Sequence, residues 1–198
     1  MYEFIRGEVA ALSPAHAVIE TQGGVGYYLS ISLQTYTSVG SQKNVKLYTH
    51  FIVREDTQQL FGFYDPMERE LFRLLIGVSG VGGNTARMIL STFSPEELQV
   101  IIATGKADVL KSVKGLGIKT AQKIIVELKD KVGTVGAGDT AQLALGAGAT
   151  TPVFDEALSA LTMLGFAKAS SEKVLRRIAQ EQPNAAVEDL VRVALKHL

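Results

Sequence analysis

"LIGVSGVGGNTARMIL" (75–90) and "LKSVKGLGIKTAQKII" (110–125) are one pattern written twice, 35 residues apart. Leu75 matches Leu110, Val78 matches Val113, Gly80 and Gly82 match Gly115 and Gly117, and Thr85, Ala86 and Ile89 match Thr120, Ala121 and Ile124. Each copy reads as a helix, a tight Gly-x-Gly turn and a second helix. Glycine reaches positive φ without strain and leaves no side chain between the backbone and a ligand. Such a turn aims the unpaired N–H groups of the next helix outward, where the helix dipole favours an anion. Lys119 and Lys123 add charge beside the second turn. Nothing in the unit reads base edges, so the expected ligand is backbone phosphate, bound without sequence preference. One Gly-x-Gly alone is as readily a plain connector between packed helices; two copies with matched apolar and threonine positions argue against that.

The repeat sits in the middle of a chain of 198 residues. Before it, "YEFIRGEVAAL", "HAVIETQ", "VGYYLSISL", "NVKLYTHFIV" and "QLFGFY" are rich in Val, Ile, Tyr and Phe, with "SP", "QGG" and "GSQKN" as turn signals between them. Five strands in so short a span predict a small all-β barrel: an OB-fold barrel is the commonest five-stranded solution, with an SH3-like barrel as the alternative. From Asp65 the period changes to helical, with Pro66 at a helix start and Leu71, Leu74, Leu75 and Val78 on one face. Ser94 and Glu97 form a capping box at the head of "SPEELQVII". "VGTVGAGDTAQLALGAGATTP" is Gly-, Ala- and Thr-rich, has too little apolar bulk for a core, and reads as a flexible linker. After it, "FDEALSALTMLGF", "SSEKVLRRIAQ" and "VEDLVRVALKHL" predict three short helices, the last with Val187, Leu190, Val191, Ala194 and Leu195 on one face. The expected layout is a barrel over 1–64, an all-α tandem unit over 65–142 (helical to about 131), a linker over 143–150 and a three-helix, UBA-like module over 151–198.

Composition narrows the functions open to this layout. Hydrophobic residues make up 46% and charged residues 20%, which is globular material. Lys and Arg number 20 and Asp and Glu 20, so a nucleic-acid binder of this composition must sort its charges onto separate faces. With no cysteine, disulfides, thiolate zinc sites and cysteine nucleophiles are excluded, which is compatible with a reducing cytoplasm. The N-terminus carries Glu3, Arg6 and Glu8 and has no signal-peptide core, and no apolar run reaches 18 residues, so neither a leader nor a membrane span is expected.

The repeat resembles the helix–hairpin–helix motif. With a β-barrel before it and a tethered helical module after it, the whole chain resembles the RuvA family, the Holliday-junction-binding subunit of the bacterial branch-migration machinery. "GGVGY" (23–27), "THFIVRED" (49–56), "GVG" (80–82), "GLGIKTA" (115–121) and "IVELKD" (125–130) carry the resemblance most specifically. It implies a cytoplasmic homotetramer, alone or as two tetramers face to face, lying on an open, square-planar four-way junction during recombination, DNA repair and the SOS response. It implies that Gly80, Val81, Gly82, Gly115, Leu116 and Gly117 supply hairpin backbones, and that Thr85, Arg87, Lys119, Thr120 and Lys123 sit by phosphate. The last module would dock the hexameric RuvB ATPase, through exposed positions around Met163, Leu164 and Phe166, and the RuvC resolvase would share the complex. No cofactor and no metal are implied.

The chain departs from the family at "GVGGNT", where Gly83 and Asn84 replace a common Pro-Lys pair. The expected consequence is one phosphate cation fewer and a looser turn, with Arg87 as compensation. Ile118 stands where a second lysine is frequent, yet Lys114, Lys119 and Lys123 leave the second hairpin the better furnished of the two. Rival functions fare worse. A nuclease needs clustered carboxylates for metal, and Glu55 and Asp56, being adjacent, diverge on a strand. His16, His50 and His197 have no ligand spacing, and Asp130, the one acid suitably placed for a glycosylase, belongs to a solvated helix end. "GLGIKT" lacks the glycine before lysine that a P-loop requires, so a non-catalytic subunit is expected. An adaptor binding only protein would leave the paired glycine turns unexplained.

"VREDTQQ" (53–59) predicts a hairpin tip carrying Glu55 and Asp56, with Arg54 beside them. Two carboxylates on a DNA binder are a puzzle if they only oppose binding. In the implied fourfold assembly the tips gather where the arms meet. There their mutual repulsion holds phosphates off the centre and penalises continuous duplex.

Overall fold

The computed structural model describes residues 2–135, 152–182 and 185–198. The expected linker, 143–150, lies outside the described residues, as do 136–142 before it. The chain divides into two compact units, residues 1–142 and 143–198.

Five strands open the first unit: β1 (Phe4–Ser13), β2 (His16–Glu20), β3 (Gly26–Ile31), β4 (Asn44–Val53) and β5 (Gln58–Phe63). They close into a barrel in the order β1-β2-β3-β5-β4. Every neighbouring pair is antiparallel except β3 and β5, which run parallel with Ser30 opposite Phe61 and Ile31 opposite Gly62. This is the OB arrangement, and the SH3-like alternative falls away. Alternation along the strands sends Ile5, Ile19, Leu29, Ile31, Val45 and Leu47 inward.

One helix of this unit has no counterpart in the sequence reading: α1 (Leu33–Val39), between β3 and β4. Thr35, Tyr36, Thr37 and Val39 are weak helix formers. The helix is held by its surroundings instead. Ser32 caps it, its Oγ accepting from the Thr35 N–H at 3.0 Å. Both Ser32 and Thr35 donate their hydroxyls to the buried carboxylate of Glu68, Thr35 at 2.7 Å, and the Thr35 hydroxyl also accepts from the Tyr64 N–H at 3.0 Å.

Glu68 is 2% exposed, and burial pushes its carboxyl up to about 7 against the opposing pull of the two hydroxyls. The folded protein therefore holds a proton there that the unfolded chain, near 4.5, releases. Stability from this group is greatest below 4.5, falls as pH rises towards 7, and is flat above that, a span of about 3 kcal/mol. Glu68→Gln removes the slope: urea melts at pH 5 and pH 8 should show the wild type losing stability relative to the variant over that interval.

The helical part of the first unit begins at α2 (Pro66–Gly77), where the Asp65 carboxylate accepts from the Met67 N–H at 2.7 Å and Pro66 takes the first turn. Then come α3 (Gly83–Thr92), α4 (Pro95–Ala103), the single turn α5 (Ala107–Leu110) and α6 (Ile118–Leu128), followed by a 3-10 turn at Val132–Thr134. The capping box on α4 is present in both directions: Ser94 N–H to Glu97 at 2.9 Å, and Glu97 N–H to Ser94 at 3.2 Å. The change of period at Asp65 is not a break in the core. Phe61 and Phe63 of β5 meet Phe72 of α2 at ring-centroid distances of 4.8 and 4.9 Å, so barrel and helices share one apolar cluster.

The second unit holds α7 (Pro152–Met163), α8 (Lys168–Glu181) and α9 (Val187–Ala194) around Phe154, Ala157, Leu161, Leu175, Ile178, Leu190 and Ala194. Leu195, expected on the inner face of the last helix, is exposed because the helix ends at Ala194 and the chain turns.

Candidate nucleic-acid interface

The sequence repeat is also a repeat of hydrogen bonds. Val78 N–H donates to Leu75 O at 3.1 Å, and Val113 N–H to Leu110 O at 3.1 Å. Val81 N–H donates to Val78 O at 3.0 Å, and Leu116 N–H to Val113 O at 3.0 Å. Ala86 N–H donates to Gly82 O at 2.9 Å, and Ala121 N–H to Gly117 O at 2.9 Å. In each turn the third residue alone has positive φ, +94° at Gly80 and +85° at Gly115, which defines a type II turn and requires glycine there. Val81 and Leu116, between the glycines, point into the core, so they offer only backbone to a ligand. A methyl group on Gly82, Gly115 or Gly117 would meet nothing within 4 Å, and one on Gly80 would meet only Thr120 Cγ2 at 4.0 Å. That last contact brings the first turn beside the head of α6.

The helices that follow the two turns differ from α1, α2 and α4 at their N-termini. α1, α2 and α4 have side-chain caps. α3 and α6 begin on Gly82 and Gly117 with no side-chain cap and no acid in the first turn. Their leading N–H groups are therefore free of side-chain acceptors. Lys119 stands in the first turn of α6, where the helix dipole disfavours a cation. An incoming anion reverses that penalty. Lys123 is one turn on along the same face. Among the described residues Lys111, Lys114, Lys119 and Lys123 are exposed and none has an acidic partner within 4.0 Å. Thr85 and Thr120 are half-buried at matching places on α3 and α6.

Two expectations about the first hairpin do not survive. Arg87 does not join the turn: its Nη1 donates to the Ile31 carbonyl at 3.2 Å, towards the barrel, and its Nε is buried without a partner. Gly83 does not loosen the turn either. It is the first residue of α3, buried, and an added Cβ would lie 2.6 Å from Phe61 Cζ and 3.0 Å from Ile52 Cδ1. Glycine stands there because α3 presses on the barrel. The one-dimensional pattern carried no signal for this contact, whose partners lie far away in sequence.

The β4–β5 tip is closed by Arg54 N–H to Thr57 O at 2.8 Å. Arg54, Glu55 and Asp56 are exposed, and among the described residues none of them forms an ion pair.

In the second unit α7 ends in a Schellman turn. Gly165, at φ +95°, donates to Thr162 O at 3.0 Å, and Phe166 N–H donates to Leu161 O at 3.1 Å. The turn leaves Met163 87% and Leu164 61% exposed. It also folds Phe166 back on the module's own core, so Phe166 is half-buried rather than a free surface group.

A barrel sharing its core with two glycine-hairpin units defines a helix–hairpin–helix protein, and residues 72–130 match the family model of the SAM-like helix-hairpin-helix tandem. Residues 1–62 match the RuvA N-terminal domain and residues 152–198 the RuvA C-terminal domain. Over its full length the chain is 54% identical to a protein of Bacteroides thetaiotaomicron across 202 residues, 43% to one of Porphyromonas gingivalis across 203, and 42% to one of Flavobacterium psychrophilum across 198. In each case all of both chains is covered, and each relative is named Holliday junction branch migration complex subunit RuvA. The chain belongs to the RuvA family.

Proposed function

We propose that this chain binds four-way DNA junctions by shape and serves as the junction-binding subunit of a branch-migration complex in recombination and repair. Full-length identity to junction-complex subunits carries this reading, and the two uncapped hairpins supply its chemistry. Gly80, Gly82, Gly115 and Gly117 offer backbone N–H groups to phosphate, held in place by Val81 and Leu116, whose own N–H groups close the turns, with Lys119, Thr120, Lys123 and Thr85 around them. Four copies round one junction match its four arms. The subunit performs no chemistry of its own; energy comes from a RuvB-type hexameric ATPase docked on residues 151–198 through Met163 and Leu164, with a RuvC-type resolvase in the same complex. Among the described residues no three His, Asp or Glu side chains gather as a metal site, and no helix is long and apolar enough to cross a membrane. A cytoplasmic setting accords with the absence of cysteine.

The direct test measures affinity for a four-way junction against a linear duplex of equal length. A tight, salt-sensitive preference for the junction, without cleavage, is expected; equal affinity for both sinks the proposal. The acidic tip gives a sharper result. Glu55→Gln with Asp56→Asn should strengthen duplex binding several-fold and narrow the junction preference, because the paired variant no longer repels a backbone crossing the centre. Unchanged duplex affinity would return the tip to the role of a solvated turn. Deleting residues 151–198 should leave junction affinity intact and abolish ATPase-driven branch migration. Migration surviving the deletion would overturn the docking role.

A further inference from the structure

We propose that Arg87 and Ser91 are positioning residues that lock the first hairpin against the base of the acidic tip and so help to decide which DNA is accepted. The proposal rests on the junction-binding reading above. Gly83, Arg87 and Ser91 are spaced four apart and form one stripe of α3. The whole stripe is spent on the barrel and on the head of α1. Gly83 lies on Phe61 and Ile52. Arg87 donates to the Ile31 carbonyl at 3.2 Å. Ser91 Oγ accepts from the Leu33 N–H at 3.1 Å and donates to the Arg87 carbonyl at 2.8 Å. The seat these groups use, the corner from Ile31 to Thr35, is the one Glu68 of α2 grips through Ser32 and Thr35. Two helices thus hold one corner of the barrel. The corner, α3 and strand β4 become a single rigid piece.

This piece joins the two features that matter for DNA. Gly83 directly follows the first Gly-x-Gly turn, and Ile52, which it touches, stands three residues before Glu55. The distance between the first turn and the carboxylates is therefore set by short, packed connections. The first hairpin has little else to offer. From Val78 to Thr92 the only cation is Arg87, and it faces the barrel. The second hairpin, with Lys111, Lys114, Lys119 and Lys123, packs mainly on other helices: α5 on α4, and α6 on α2 and α4. The two copies of the repeat have divided the work. The second supplies attraction, and the first supplies the position of an arm relative to the tip.

A phosphate contact and a positioning role separate by salt dependence. Full-length wild type, Arg87→Ala, Arg87→Lys, Ser91→Ala and Lys119→Ala are compared for affinity to a four-way junction and to a linear duplex of equal length, between 50 and 200 mM salt. Arg87→Ala and Ser91→Ala should each cut the junction-to-duplex ratio about fivefold while duplex affinity and its salt slope hold. Arg87→Lys, which can still reach the Ile31 carbonyl, should recover most of the ratio. Lys119→Ala should weaken both DNAs and reduce the slope by about 0.9 for the phosphate lost. A flattened duplex slope in Arg87→Ala would make Arg87 a phosphate ligand and overturn the proposal, as would an unchanged ratio in both Arg87→Ala and Ser91→Ala. Should Arg87→Ala melt below the assay temperature, the Ser91→Ala and Arg87→Lys ratios decide in the same way. A wild type without junction preference would instead remove the junction reading itself.

Discussion

Replacing Lys119 and Lys123 together by alanine is expected to weaken binding to duplex and to four-way DNA alike, by about a hundredfold near 0.15 M salt. Each lysine is exposed and, among the described residues, has no acidic partner within 4.0 Å, so neither substitution leaves a buried charge behind or disturbs the core. The apolar side of α6, with Ala121, Ile124, Ile125 and Leu128, is untouched. Loss of Lys119 should even help the isolated helix slightly, because a cation leaves the positive end of the dipole. Melting temperature should therefore hold or rise while affinity falls. The loss should appear chiefly in the salt dependence, the slope of log K against log salt shrinking by about 0.9 for each phosphate contact removed. Lys173→Ala, on an exposed position of the second unit, is the control and should change neither quantity. An unaltered slope in the double variant would place the phosphates elsewhere.

A clear loss of stability is expected from Gly83→Ala. The new Cβ would lie 2.6 Å from Phe61 Cζ, and Phe61 is fully buried beneath Phe72, so it has no free space to enter. Overpacking of this kind costs about 1–3 kcal/mol, which corresponds to a fall in melting temperature of roughly 5–10 °C for a unit of this size. Backbone preference alone predicts the opposite, since alanine is the better residue within a helix. The sign of the change thus separates packing from propensity. Phe61→Leu shortens the obstructing ring, so Gly83→Ala with Phe61→Leu should be more stable than the sum of the single changes allows. Simple additivity would mean that the two side chains do not meet.

These two variants mark the limit of what one-dimensional pattern reveals. The repeat was legible because its turn chemistry is local: a positive φ demands glycine, and matched Leu, Val and Ala positions report the same packing twice. The capping box of Ser94 and Glu97 and the proline start at Pro66 were legible for the same reason. Three things were not. α1 has the β-branched composition of a strand and is helical because Thr35 meets Glu68 of another helix. Arg87 looks like a phosphate ligand in the sequence, and only the Ile31 carbonyl shows where its charge is directed. Phe166 reads as one apolar group with Met163 and Leu164, until the turn at Gly165 folds it inward. In each case the deciding partner is brought close by the fold or by a backbone turn, where the residue type alone is mute.

The seam between strand β5 and helix α3 has a consequence for exchanging parts between relatives. A barrel taken from one member and helices from another would join at the peptide near Asp65, where the chain permits a clean splice. The fit would be decided elsewhere, by whether residues 52, 61 and 83 came from one parent. A chimera that divides them would pair a ring of one size with a clearance made for another. Such hybrids should fail or succeed according to that trio, whatever the overall identity of their donors.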